Sequence, residues 1–215
     1  GGALLLLPML IHMVGPERAI PLLTLAQLVG NATRAWGGRQ EIDWHYVRRF
    51  LLLAIPATLL GTLAFLLLPK TNIPRIIGLL ILVAAVLQWC QRSVAKEARP
   101  AEGAAMSFRA TAAATGFFSG LAGSAGPLSA AAFLSLNLAP GAYLASEACA
   151  ALGIHLLKVA VYRAAIPLPA NDLGLAAILS VVMIVGTLAG KRLANRVPRQ
   201  YFKTAVLVLL VAIGL

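Results

Sequence analysis

Apolar runs long enough to cross a bilayer alternate along this chain with short clusters of charge. The longest uncharged run, residues 110–146, exceeds the ~20 residues that one helix needs to span a membrane. One straight helix cannot use it all. Gly116, Gly120, Gly123 and Gly126, followed by Pro127, remove side-chain packing and then a backbone donor, so the run is predicted to break near Gly123. Two half-helices, 107–121 and 125–136, are expected to meet tip to tip. A backbone break at membrane depth leaves N–H and C=O groups that only protein or a wet cavity can receive, which is how many transporters build a substrate site.

The same pattern predicts the remaining elements. Residues 1–14 are apolar and end at a Gly15-Pro16-Glu17 turn, and the next helix runs to about Trp36 carrying Gln27, Asn31 and Arg34. Residues 39–49 read as a charged loop with Asp43 as an N-cap, because its side-chain oxygen can accept from the first free amides. Spans are expected over 50–68 and 75–91, a charged linker over 92–106, and a helix over 142–165 closed by Pro167 and Pro169. Asp172 is expected to cap a span whose uncharged part is 173–190, followed by a basic stretch and a last helix over 201–215.

The second half repeats the first. A shift of 124 residues places Gly2 on Gly126, Pro16 on Pro140, Asn31 on His155, Arg34 on Lys158 and Pro74-Arg75 on Pro198-Arg199; one further residue places Gly61-Thr62 on Gly186-Thr187. The expected organisation is therefore an all-α integral membrane bundle of two homologous repeats, 1–91 and 107–215, joined by the polar linker 92–106. Such duplication is common in secondary transporters. Its first repeat lacks the half-helix that would precede Gly2, which suggests a truncated N-terminus.

Composition agrees with a membrane protein: 60% of the 215 residues are hydrophobic and 12% charged, with mean hydropathy +0.87. The net charge of +11 does not point to nucleic acid, since the 18 basic residues sit between apolar spans without aromatic interleaving. They read as topology determinants. If each broken pair is a re-entrant hairpin and the repeats are inverted, thirteen basic residues share one face and five do not; parallel repeats would divide them eight to ten. The positive-inside rule favours inversion. Cys90 and Cys149 match no metal or redox spacing and read as small buried residues.

On the 142–165 helix, Glu147, His155 and Lys158 fall within roughly 80° of one another at 100° per residue. Ionisable groups at membrane depth face a wet interior or a partner. The plainer reading puts Glu147 near the helix start, where it favours the dipole, and lets Lys158 snorkel outward. Symmetry argues for the functional one, because Asn31 and Arg34 occupy the matching positions of the first repeat. Two cations and two half-helix ends around one cavity suit an anion, since helix N-termini present free amides and about half a positive charge. The expected substrate-binding set is Gly2, Asn31, Arg34, Gly123, Ser124, Gly126, Pro127, Ser129, His155 and Lys158, with Thr115 as a further hydroxyl and Glu147 and His155 as proton-coupling groups. For the glycines taken singly, close helix packing is the alternative.

The segments GFFSGLAGSAGPLSAAAF, LAPGAYLASEACAALGIHLLKVAVYR and GTLAGKRLANRVPRQYF, with GGALLLLPML and GTLAFLLLP in the first half, resemble the TauE/SafE sulfite exporter family, also called toluene sulfonate uptake permeases. The resemblance covers nearly the whole chain. It implies a multi-pass protein of the bacterial or archaeal inner membrane that moves sulfite, sulfonates or related organic anions, with no cofactor and no catalytic residue. The chain departs from the family in lacking the first glycine-rich half-helix, and it carries Ser124-Ala125-Gly126-Pro127 where many members have a richer glycine cluster. The partners expected are a small anionic solute and the lipid bilayer, with a homo-oligomer left open. Two other readings are an intramembrane protease using Ser119 and His155, since a serine nucleophile needs a base within hydrogen-bond reach, and a passive anion channel.

Overall fold

The computed structural model describes residues 2–69 and 101–194. Every regular element among them is helical. The expected 75–91 span, the end of the second repeat beyond residue 194, Cys90 and the Pro74/Pro198 correspondence lie outside the described residues.

Helix α1 (Gly2–Val14) ends at Gly15, whose φ of +81° turns the chain sharply into α2 (Pro16–Gly37). Pro16 opens α2 where a missing N–H costs nothing, and Pro21 falls within the same early stretch. A single 3-10 turn, Arg39–Glu41, leads to α3 (Trp44–Leu67). Asp43 caps α3 as expected, accepting from the amides of His45 and Tyr46 at 3.1 and 3.4 Å. The charged residues placed in a loop reaching to 49 instead form the first turns of α3, with Arg48 and Arg49 exposed. The cap has brought the helix start forward: once its first amides are satisfied, nothing in Trp44-His45-Tyr46 opposes helix.

Helix α4 (Ala101–Ala122) starts inside the segment expected to be a linker and runs unbroken to the glycine-rich region. It packs along α3 with backbone against backbone. A Cβ at Gly61 would strike the carbonyl of Phe117, one at Gly116 the carbonyl of Ala54, and one at Gly120 the backbone of Thr58, Gly61 and Thr62. These three glycines therefore serve close helix packing. Helices α5 (Gly126–Leu134), α6 (Pro140–Ala165) and α7 (Ala170–Ala194) complete the described chain. Asp172 lies within the first turn of α7 and not at its cap, and its carboxylate accepts from Arg18 at 3.1 Å, tying α7 to the start of α2.

Helices α3, α6 and α7 are long and apolar enough to cross a membrane. At 1.5 Å per residue, α5 reaches only about 14 Å, short of the ~30 Å hydrocarbon layer, and is a half-helix by length. Helices α1 and α5 open 124 residues apart, as do α2 and α6 at Pro16 and Pro140. Two apolar clusters hold the bundle. Phe50, Phe108 and Phe133 stack with centroids 5.1 to 5.9 Å apart among α3, α4 and α5. Leu7, Leu10, Ile20, Leu23, Phe65 and Tyr162 join α1, α2, α3 and α6. The polar lane described next runs between α2 and α6, which pack side by side.

Candidate functional site

The break between α4 and α5 falls at Gly123, Ser124 and Ala125. Gly123 adopts φ +83°, a left-handed conformation that costs a residue with a Cβ about 1–2 kcal/mol. Its carbonyl, left over at the C-terminal end of α4, accepts from Lys158 Nζ at 2.7 Å and from Gln27 Nε2 at 3.2 Å. Lys158 Nζ also reaches Ser119 Oγ at 3.5 Å, and one turn further along α6 the Tyr162 hydroxyl donates to the Gly120 carbonyl at 2.9 Å. The end of α4 is thus held by two side chains of α6 and one of α2. Lys158 is fully buried, so it does not snorkel.

On the other side of the break, α5 begins without a side-chain cap and carries Pro127 in its first turn. Ser129 Oγ donates to Glu147 Oε1 at 2.6 Å and lies 3.0 Å from the Gly126 carbonyl. The other oxygen of Glu147, Oε2, accepts from Arg34 Nη2, which also donates to Asn31 Oδ1 at 2.8 Å. Asn31, Arg34, Ser129 and Glu147 form one bonded group; Gln27, Ser119, Gly123 and Lys158 form a second. Arg34 meets Glu147 while Gln27 meets the carbonyl that Lys158 holds, so α2 and α6 run antiparallel here. The eleven residues from Glu147 to Lys158 separate the groups by roughly 16 Å along α6.

His155 lies between them on α6, 4% exposed and within electrostatic reach of both Arg34 and Lys158. Its Nδ1 and the Nε of Arg34 are the two buried side-chain nitrogens, among the described residues, that have no hydrogen-bond partner. A buried polar atom left without a hydrogen-bond partner costs about 1–3 kcal/mol, so such atoms mark places where something else completes the bonding.

Ser124 and Pro127 are buried at the break. Thr115 turns its hydroxyl to the carbonyl of Thr111 on its own helix at 2.7 Å and takes no part in either group. Gly2 opens α1, and no described hydrogen bond links it to the lane. Both expected cations have protein partners: Arg34 is paired with Glu147, and Lys158 holds the helix end. The Ser119–His155 pairing is not formed through Nδ1, because Ser119 Oγ faces Lys158. Gln27 and Tyr162 were missing from the expected site. Both were on legible stripes, Gln27 one turn before Asn31 and Tyr162 one turn after Lys158.

Among the described residues no group of three or more His, Cys, Asp or Glu side chains is placed to hold a metal ion. A family model described as "Sulfite exporter TauE/SafE" matches residues 1–215, the full chain. No curated protein and no solved structure matches.

Proposed function

The chain belongs to the TauE/SafE family of sulfite exporters, membrane proteins that move small anions, and from that premise we propose that its substrate is an oxyanion held between α2, α6 and the α4–α5 break. Sulfite, organosulfonates and related organic acids are the substrate class. The observation that carries this reading is the pair of unpartnered buried nitrogens, Arg34 Nε and His155 Nδ1, on facing helices beside an interrupted backbone. An oxyanion supplies an acceptor oxygen to Arg34 Nε, and to His155 Nδ1 in the tautomer that carries its proton there. The guanidinium fork suits a planar or pyramidal oxyanion better than a point charge would.

Ser124 and the Gly126 amide at the start of α5 add neutral donors; Pro127 has no N–H, and the Leu128 and Ser129 amides are already taken by the Ala125 carbonyl. Gly123 and Pro127 define the bend at which that amide lies, and Lys158 contributes its charge from the far end of the lane while holding the bend in place. The elements opening at Gly2 and Gly126, and at Pro16 and Pro140, favour two repeats, and the antiparallel packing of α2 on α6 favours their inverted orientation; the family points to a bacterial or archaeal inner membrane as the site of transport.

Reconstituted vesicles loaded with labelled sulfite test the reading. Efflux should saturate with sulfite and accelerate when unlabelled sulfite is placed on the opposite side, a counterflow that a passive channel lacks. Arg34→Ala should lower transport at least tenfold at equal protein in the membrane. Unchanged transport in that variant would remove the proposed site.

A further inference from the structure

Resting on that anion site, we infer that Glu147 is a built-in competitor for the substrate, so that one proton enters the site with each monovalent anion. The Nε and Nη2 hydrogens of an arginine lie on one edge of the guanidinium, the edge that takes an oxyanion with two parallel bonds. In this structure Nε has no partner, while Nη2 is held by Glu147 Oε2 and Asn31 Oδ1. Nη2 has two hydrogens, one of them on that edge, and two acceptors already hold it, so an oxyanion can take the edge only by displacing Glu147 or Asn31 or by sharing Nη2 with them. Whichever acceptor gives way, an anion on Nε and Nη2 comes within a few ångströms of the Glu147 carboxylate unless that carboxylate leaves or is neutralised, and two negative charges so close repel strongly in a poorly solvated place.

Protonation removes the conflict with charge conserved. Glu147 takes one proton on Oε2, its bond from Arg34 is released, and the new O–H can donate to the anion that has replaced it. Oε1 keeps the bond from Ser129. The resting group contains one guanidinium and one carboxylate; the loaded group contains one guanidinium, one carboxylic acid and one anion. Net charge is zero in both, so neither form carries an uncompensated charge at membrane depth.

The charged groups around Glu147 leave Arg34 as the partner. From α2 comes Arg34 itself, and α5 has no titratable residue, contributing Ser129. On α6, Tyr143 lies one turn away within electrostatic reach, and His155 and Lys158 lie two and three turns further along. The Arg39–Glu41 turn puts the Glu41 carboxylate against Gly141 at the start of α6. His45, Arg48 and Arg49 of α3 and Arg109 of α4 are exposed.

The experiment is sulfite binding to the purified chain and to Glu147→Gln, measured by calorimetry in one detergent from pH 5.5 to 8.5. Sulfite's own titration is common to both proteins and cancels in the ratio of their affinities. The ratio of variant to wild type should rise with pH, by up to tenfold per pH unit, wherever Glu147 is ionised in the free protein and has to take up a proton when the anion binds. Glu147→Asp, which keeps a carboxylate, should give a ratio to wild type that stays flat with pH. Where the glutamine variant does not fold, Glu147→Asn serves the same comparison. A flat ratio for the neutral variants, or loss of binding in them with retention in Glu147→Asp, would overturn the coupling and leave the anion site standing. A wild-type chain that binds no sulfite at any pH would overturn both.

Discussion

Lys158 Nζ donates to the carbonyl of Gly123 across 2.7 Å, so a buried ammonium on α6 closes the end of the interrupted α4. The lysine does there what water does at an exposed helix terminus, in a place where water is scarce. This relationship separates a structural charge, Lys158, from the cation whose Nε still has no partner, Arg34.

Lys158→Met keeps the length and apolar stem and removes the donor. Charged hydrogen bonds contribute about 1.5–3 kcal/mol, and Gln27 still serves the Gly123 carbonyl, so the loss should be near 2 kcal/mol. A clear fall in the detergent unfolding temperature checks it. An unchanged value would mean that the ammonium does not hold the helix end.

Gly123→Ala places a Cβ in a left-handed conformation and 3.3 Å from the Ile20 side chain. The expected cost is about 1–2 kcal/mol from the backbone alone. Gly123→Asn should cost less, because Asn tolerates positive φ better than Ala does. Comparing the unfolding temperatures of the two variants tests whether conformation or contact dominates.

Gly116→Ala, Gly120→Ala and Gly61→Ala each drive a methyl group into the backbone of the facing helix and should abolish or sharply reduce the yield of folded protein. Gly186→Ala is the control. It lies on α7 with nothing within 4 Å, so alanine should be neutral or stabilise the helix by up to about 1 kcal/mol. Monodispersity on size exclusion distinguishes the two groups.

Arg34→Met and Glu147→Met each leave one charge buried without its partner, and the double variant leaves neither. The double variant should therefore be more stable than the sum of the single losses, with a coupling of about 1–3 kcal/mol, moderated because the Arg34 side chain is 33% exposed. Strict additivity in a thermal double-mutant cycle would show that the pair contributes nothing.

The helical bundle, the break near Gly123, the turn at Gly15-Pro16 and the cap at Asp43 were legible along the chain, because each follows from local chemistry: apolar run length, a missing Cβ, a missing N–H, a carboxylate beside free amides. The stripe holding Glu147, His155 and Lys158 was legible for the same reason, since helical periodicity puts those residues on one face whatever packs against it. The start of α3 at Trp44 and of α4 at Ala101 was misjudged, as charge was read as loop where it decorates the ends of helices.

Sequence alone thus determined that the chain is a membrane helix bundle with an interrupted span and which side chains share its polar face. Only the tertiary structure decided how those side chains are spent. Arg34 and Glu147 are 113 residues apart and Lys158 is 35 from Gly123; no local rule says which cation meets the carboxylate and which the stranded carbonyl. That choice is made by the antiparallel packing of α2 on α6, which sets one pairing at each end of the lane and leaves Arg34 Nε and His155 Nδ1 without partners.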